Sequence, residues 1–97
     1  MLKKNPNLQD FFKAVLSLKT LEECNMFFDD ICTIQEIEAL SQRFEVAMLL
    51  CEGKSYNDIN RLTGASTTTI GRVSKCLNYG DGGYKTAIKR VKESQDD

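Results

Sequence analysis

The sequence predicts an all-α fold of about six helices, and three observations support this prediction. Helix-start signals recur along the chain, each followed by apolar residues three and four positions apart. No run of residues alternates between β-branched and polar types as a strand does. No repeat or Pro/Gly/Ser-rich linker divides the 97 residues, so residues 1–97 are predicted to form a single domain.

The first two helices are predicted from apolar stripes with helical spacing. The first runs from about Leu8 to Leu18, with Asn7 as its N-cap. The second follows a capping box in which Thr20 is the cap and Glu23 the returning side chain. The aromatic stripe over residues 11–28 is interpreted as core, including core between subunits, and not as a cofactor site.

A second capping box, from Thr33 to Glu36, predicts a long third helix over about Ile34 to Glu52. Gly53 is expected to end this helix in the left-handed conformation. A chain this short buries only a modest fraction of its surface. We therefore expect residues 8–52 to be dimerisation helices, whose remaining apolar surface a second chain covers.

The reactive side chains give no indication of catalysis or metal binding. The four cysteines contain no CxxC pair, and the sequence has no histidine. They are interpreted as small buried hydrophobes of a reducing compartment and are Cys24, Cys32, Cys51 and Cys76. We therefore expect that the protein is not an enzyme, has no catalytic residue and binds no metal. Without a signal peptide or membrane-length apolar run, a bacterial cytoplasmic location without membrane contact is expected.

Charge is distributed unevenly although the formal net charge is only −1. Residues 1–52 carry five basic and nine acidic side chains, whereas residues 53–92 carry eight basic and two acidic ones. Three further acids follow in residues 93–97. A basic half indicates a nucleic-acid partner, because phosphate binding needs local positive charge and not a positive total. The alternative is chance clustering on a solvated face.

Residues 55–78 have the spacing of a helix-turn-helix. Ser55 is predicted to cap a short helix whose buried side includes Ile59 and Leu62. Gly64 falls at the turn, where the chain needs a left-handed residue. Asn60 and Thr63 occupy positions where many such motifs have an alanine or a leucine. A plain helical hairpin therefore stays as the alternative.

The second helix of this motif is predicted to begin at a Ser66 cap, after the small apolar residue Ala65. Its inward side chains are Ile70, Val73 and Leu77. The first residues of such a helix meet base edges in the major groove, where threonine hydroxyls and methyls suit base contacts. The predicted DNA-binding residues are Lys54, Arg61, Ser66, Thr67, Thr68, Gly71, Arg72 and Lys75.

These DNA-binding residues are assigned two kinds of contact. Basic side chains are predicted to bind phosphates, and Thr67, Thr68 and Gly71 to meet bases. Glycine within a helix is unfavourable, so Gly71 has two interpretations. It allows a close approach by DNA or by another helix, or it is a tolerated defect. Beyond a turn over residues 78–84, a last basic helix is predicted over residues 84–91, and residues 92–97 are predicted to be a disordered tail.

Short segments distributed over about residues 8–90 point to a known family. These segments are Glu38-Ala39-Leu40, Arg43, Leu49-Leu50, Gly64-Ala65, Thr69-Ile70-Gly71-Arg72 and Leu77 to Tyr84. Together they resemble the Trp repressor superfamily, in its branch of YerC/YecD-like small bacterial regulators. The resemblance implies an intertwined homodimer of the Trp-repressor type that binds a palindromic operator.

The resemblance also implies a co-repressor site whose residues are Arg43, Arg72, Val73 and Cys76. In the family two arginines enclose the indole of tryptophan, and these match Arg43 and Arg72. Val73 stands where the family has a glycine that leaves room for the indole, and Cys76 where a serine binds the polar end of the amino acid. Tryptophan is therefore disfavoured, and the pocket is either reshaped for a smaller ligand or lost. Histidine is a candidate by resemblance, because YerC-like regulators are associated with histidine metabolism.

The sequence thus predicts a DNA-binding transcriptional regulator. It is predicted to repress genes of amino-acid metabolism as a homodimer on double-stranded DNA, with modulation by a small-molecule effector and association with the nucleoid. The alternative is a protein-interaction module that docks its helix-turn-helix on a partner in the transcription machinery. An enzyme is a weaker alternative, because no catalytic group can be identified.

Overall fold

A computed structural model describes residues 5–95, which form six α-helices and no strand. The helices are α1 Pro6–Ser17, α2 Leu21–Ile31, α3 Ile34–Cys51, α4 Tyr56–Thr63, α5 Thr67–Tyr79 and α6 Gly83–Gln95. The all-α prediction is confirmed. The described residues form two compact units, an amino-terminal unit of residues 5–37 and a carboxy-terminal unit of residues 38–95. The boundary lies within α3, and the single-domain assignment stays a prediction.

Helix α1 begins at Pro6, two residues earlier than the predicted start at Leu8. The Asn5 side chain accepts hydrogen bonds from the backbone N–H groups of Asn7 and Leu8, at 2.8 and 3.3 Å. Pro6 is the first helical residue, where its missing N–H leaves no helical hydrogen bond unmade. The prediction of Asn7 as the N-cap is therefore wrong, and Asn5 takes that place.

Of the two predicted capping boxes, the one from Thr33 to Glu36 is complete, whereas the one at Thr20 has only the hydrogen bond to the Thr20 side chain. The Thr33 side-chain oxygen accepts from the Glu36 N–H at 3.1 Å, and a Glu36 carboxylate oxygen accepts from the Thr33 N–H at 2.8 Å. Hydrogen bonds from the Thr33 backbone and then its side chain hold the pKa of Glu36 below its ordinary value. The Thr20 side chain accepts from the Glu23 N–H at 3.0 Å, while Glu23 accepts from Lys19, one residue before the cap.

The amino-terminal unit has an apolar face but no buried side chain. The rings of Phe11 and Phe27 stack with centroids 6.0 Å apart, and these side chains are half-buried. Other apolar side chains lie in solvent: Leu16 and Leu21 are each 84% exposed and Met26 is 61% exposed. The aromatic stripe predicted as core is thus only partly covered within the chain.

The carboxy-terminal unit has a continuous buried core. Its fully covered side chains are Val46 and Ala47 from α3, Ile59 from α4, Ala65 from the turn, Ile70, Val73 and Leu77 from α5, and Ile88 from α6. The inward face predicted for α5 is confirmed. Leu62, predicted to be buried, is 55% exposed. Two of the cysteines predicted to be buried, Cys51 and Cys76, are also exposed.

The carboxy-terminal helix is longer than predicted. Helix α6 runs over Gly83–Gln95, and Lys89 Nζ lies 4.0 Å from a Glu93 carboxylate oxygen one turn later. Residues 92–95, predicted to be disordered, are therefore helical, while residues 96 and 97 of the predicted tail lie outside the described residues. Between α5 and α6, a Cβ at Gly80 would collide with the Cys76 carbonyl oxygen, so only glycine fits there.

Over residues 5–95, no helix is both long enough and apolar enough to cross a membrane.

Candidate nucleic-acid interface

Four hydrogen bonds stabilise the turn that joins α4 to α5. Asn60 Nδ2 donates to the Ala65 carbonyl, and Thr63 Oγ1 donates to the Ile59 carbonyl, both at 2.7 Å. The Thr63 hydroxyl oxygen also accepts from the Ala65 N–H at 3.0 Å, and Gln42 Nε2 of α3 donates to the Thr63 carbonyl at 3.2 Å. The two polar residues that depart from the generic motif therefore fix its turn.

The turn itself is made by Gly64, whose φ of +76° lies in the left-handed region, as predicted. Ser55 caps α4 by accepting from the Asp58 N–H at 3.1 Å, and Ser66 caps α5 by accepting from the Thr69 N–H at the same distance. The structure thus gives Ser66, a predicted DNA-binding residue, a local capping role. Its hydroxyl also donates to Thr69 Oγ1 at 3.2 Å.

Helix α5 exposes a polar face at its amino-terminal end. Thr67 and Thr68 are exposed in the first turn, and Arg72 and Lys75 are exposed one and two turns later. Thr68, Arg72 and Lys75 are spaced at i, i+4 and i+7, so they lie along one side of the helix. The N–H groups of the first turn point out of this end and attract anions.

Gly71 lies on the same stretch of α5 and is half-buried. A Cβ built at Gly71 would have no heavy atom within 4 Å outside its own helix. The chain's own packing therefore does not require glycine at this position. The described residues therefore give no support to the interpretation that another helix of this chain approaches Gly71 closely. Close approach to DNA and a tolerated defect stay as the two interpretations.

The two basic residues predicted near α4 lie in different surroundings. Lys54 is exposed just before the helix. Arg61 is exposed in the last turn, where a guanidinium nitrogen lies 3.0 Å from an Asp58 carboxylate oxygen. Hydrogen bonds from Arg61 and then Ser55 hold the pKa of Asp58 below its ordinary value. If Arg61 bound a phosphate of DNA, its guanidinium would have to interact with that phosphate as well as with Asp58.

A cavity of about 260 Å³ adjoins α5 and brings the four predicted ligand residues together. Its lining residues are Arg43, Thr69, Arg72, Val73, Cys76 and Tyr84. Val73 is buried in the core, so its side chain occupies fixed space in the wall. Arg72 belongs both to this cavity and to the exposed face of α5.

Two of these lining residues, Thr69 and Tyr84, were not predicted. Thr69 precedes Arg72, Val73 and Cys76 by three, four and seven residues, so helical spacing could have identified it. Tyr84 comes from the first turn of α6, beyond the Gly-rich turn, and only the tertiary fold brings it here. Burial raises the pKa of the Tyr84 hydroxyl, with a smaller contribution from Cys76, while Arg43 acts in the opposite direction. The phenol is thus protonated at neutral pH and can donate a hydrogen bond.

No group of metal-binding side chains comes together in the part of the chain that the structure describes.

Comparison with known proteins identifies the family. The family model for the Trp repressor protein matches residues 6–92 of this chain. The chain belongs to the Trp repressor family. Proteins of this family are DNA-binding transcription regulators and not enzymes, so this chain is a DNA-binding regulator of the Trp repressor family.

Individual relatives match over nearly the whole chain. The YerC protein of Bacillus subtilis (strain 168) is 54% identical over 92 residues, which cover 95% of this chain and 88% of that protein. The crystal structure of a TrpR-like protein from Eubacterium eligens ATCC 27750 has a TM-score of 0.89 at 52% identity and covers 92% of each chain. The crystal structure of a second protein of this type, from Staphylococcus aureus, has a TM-score of 0.88 at 42% identity, and the match covers 92% of this chain and 89% of that chain.

Proposed function

We propose that this member of the Trp repressor family is a sequence-specific repressor of amino-acid metabolism genes. It binds a palindromic operator as a homodimer, and a small ligand modulates that binding. The observation that carries the proposal is the exposed face of α5, where Thr68, Arg72 and Lys75 lie along one side of the helix that follows a hydrogen-bonded turn. Threonines at the helix start suit base edges, and the cations suit flanking phosphates.

The uncovered apolar face of the amino-terminal unit supports the homodimer. Side chains such as Leu16 and Leu21 lie almost fully in solvent in the single chain. Covering such side chains would be favourable, because burying each one is worth about 1.5–3 kcal/mol. If the apolar face of a second copy packed against the same face of this chain, the two copies would form a two-fold dimer in which both faces are covered. Such a dimer presents two copies of α5 to the two halves of a palindrome.

The double position of Arg72 supports modulation by a ligand. Its guanidinium is available both to the cavity and to the face of α5 that we assign to DNA. A ligand that binds Arg43 and Arg72 would fix the Arg72 side chain and with it the local shape of the DNA-binding face. Tryptophan fits this cavity poorly because the buried side chain of Val73 forms part of its wall, so a smaller co-repressor, with histidine as one candidate, is favoured.

Capture and sequencing of genome fragments with the purified protein tests this proposal. The experiment is run with and without a pool of the protein amino acids. We expect enriched palindromic sites next to genes of amino-acid metabolism, and stronger enrichment with the pool. The control variants are Lys75→Ala, which should lower enrichment at every site, and Lys13→Ala in α1, which should not.

The possible outcomes separate the parts of the proposal. Enrichment that is equal with and without the pool would remove the amino-acid co-repressor and leave the DNA-binding regulator. Enriched sites without dyad symmetry would remove the palindromic operator. No enrichment in either condition, together with no affinity for any duplex at low salt, would favour the protein-interaction module instead.

A further inference from the structure

One side-chain hydrogen bond links the helix-turn-helix to α3. Gln42 Nε2 of α3 donates to the carbonyl oxygen of Thr63, the last residue of α4, at 3.2 Å, and the contact is partly buried. Over residues 5–95, every other side-chain hydrogen bond joins residues at most five positions apart in the sequence. The Gln42 amide is thus the one long-range side-chain hydrogen bond in the described part of the chain.

The Thr63 carbonyl is one of the groups that the end of a helix leaves without a helical partner. The backbone hydrogen bond that closes α4 runs from the Gly64 N–H to the Asn60 carbonyl at 2.8 Å. Within residues 5–95, none of the backbone hydrogen bonds at this turn reaches the Thr63 carbonyl. Gln42 therefore supplies a partner that the helix-turn-helix does not supply itself.

The position of Gln42 on α3 explains why this contact matters for orientation. Val46 follows four residues later on the same face of α3 and is buried in one core with Ile59 of α4 and Ile70 of α5. The hydrophobic effect opposes separation of these helices, but it is not directional. A hydrogen bond is directional, so the Gln42 contact adds a second point of attachment that resists rotation of the helix-turn-helix on α3.

We propose that Gln42 is a positioning residue for DNA recognition. Its amide holds the helix-turn-helix at one orientation on α3 and so sets the angle at which the exposed face of α5 meets the DNA. The inference deepens the proposed function and rests on its sequence-specific DNA binding. A palindromic operator fixes the separation of its half-sites, so a small rotation of each helix-turn-helix would misplace both copies of α5 on the bases. Non-specific phosphate binding depends much less on that angle.

The test compares two duplexes by fluorescence anisotropy with the full-length protein. One duplex carries the most enriched site from the genome-fragment capture, and the other has the same length and composition in scrambled order. Gln42→Met keeps the length of the side chain and removes the donor. We expect the ratio of the two affinities to fall about two- to tenfold, the range that the net free energy of one hydrogen bond represents.

Three further variants separate positioning from stability. Gln42→Lys restores a donor, so it should recover most of the affinity ratio, while its added charge strengthens binding to both duplexes alike. Ile88→Val shortens a buried side chain of α6 and should lower the urea midpoint of unfolding at least as much as Gln42→Met does, yet leave the ratio unchanged. Gln35→Met makes the same substitution at an exposed position of α3 and should also leave the ratio unchanged.

Residual dipolar couplings, measured by NMR on the free protein, give a readout that needs no DNA. In Gln42→Met, the N–H directions of α4 and α5 should change together relative to those of α3. The directions of α4 and α5 relative to each other should stay the same, because the turn keeps its own hydrogen bonds from Asn60 and Thr63. In Ile88→Val, all three helices should keep their wild-type directions.

Four results would overturn the positioning role. They are an unchanged affinity ratio in Gln42→Met, an equal fall of the ratio in Ile88→Val, no recovery in Gln42→Lys, and a fall of the ratio with unchanged couplings, which would make Gln42 a direct DNA contact. If the wild-type protein binds no duplex, or binds both equally, the proposed function fails and the couplings decide alone. Changed couplings in Gln42→Met would then support the attachment through Gln42, and unchanged couplings would overturn it.

Discussion

The amino-terminal and carboxy-terminal units contain similar apolar residues but cover them very differently. In residues 38–95, side chains from α3, α4, α5 and α6 form one buried core. In residues 5–37, no described side chain is fully buried, and several of the largest apolar ones are exposed. The carboxy-terminal unit can thus present α5 on a core of its own, whereas the amino-terminal unit leaves large apolar side chains in solvent.

The largest expected effect comes from truncating the core of the carboxy-terminal unit. Ile70→Ala removes a fully buried side chain and should lower the free energy of unfolding by about 2–5 kcal/mol. Leu16→Ala, the matched truncation in the amino-terminal unit, should cost less than about 1 kcal/mol, because the side chain is already in solvent. Urea unfolding at concentrations where light scattering shows a monomer measures both. Equal costs would contradict the difference between the units.

Association should depend on the amino-terminal unit instead. Leu16→Glu places a charge on the exposed apolar face and should weaken dimerisation by about tenfold or more, since burying a leucine is worth roughly 1.5–3 kcal/mol. Ser17→Glu is the control, because it adds the same charge at an exposed position of α1 that lies about 100° around the helix from Leu16. Sedimentation over a range of concentrations measures the effect. A wild-type chain that stays monomeric at all concentrations would remove the interface.

DNA affinity should respond to the carboxy-terminal unit. Lys75→Ala removes an exposed cation from the face of α5 and should weaken operator and unrelated duplexes by a similar factor. The slope of log affinity against log salt should become shallower by about one for each phosphate that the variant no longer neutralises. Fluorescence anisotropy at several salt concentrations measures both quantities. A weakening confined to one sequence would assign Lys75 to a base contact instead.

Gly71→Ala should separate stability from DNA recognition. The chain leaves open space around a Cβ at this position, so the variant should gain about 0.5–1 kcal/mol from the better helix propensity of alanine. If DNA approaches closely there, operator affinity should fall in the same variant. The control is Thr86→Ala at an exposed position of α6. This change also favours the helix but lies outside the face of α5 that we assign to DNA. Unchanged operator affinity in Gly71→Ala would make the glycine a tolerated defect.

The helix starts could be predicted from the sequence because capping is local chemistry. Thr20, Thr33, Ser55 and Ser66 each accept or exchange hydrogen bonds within the next three residues, so neighbouring letters contain the whole motif. The one wrong cap, Asn7, shows the limit of this approach. Two asparagines flank Pro6, and the proline decides between them because it is favourable only at the start of a helix.

Features that depend on tertiary contacts could not be predicted in the same way. Leu62 has the spacing of a buried residue, but the packing of the described residues leaves it 55% exposed. Tyr84 is distant in sequence from the arginines of the cavity, and only the packing of α6 brings it there. The polar composition of residues 92–95 is as typical of a solvated helix end as of a coil, so sequence alone did not favour the observed helix.

The smallest expected effect concerns Asp58, the exposed acid beside Arg61. Because the pKa of its carboxyl is lowered in the folded chain, its stabilising contribution is present above the ordinary value of 3.8 and is lost as the pH falls through the folded-state value. Asp58→Asn should therefore leave stability nearly unchanged once the pH is low enough to protonate the wild-type carboxyl.

Near neutral pH, Asp58→Asn should release Arg61 and raise duplex affinity by roughly threefold, because a negative charge is removed from the basic surface. Anisotropy on the variant and on Arg61→Ala measures this effect. A gain that persists in the double variant would show that Arg61 does not contact DNA and that Asp58 acts only through its own charge.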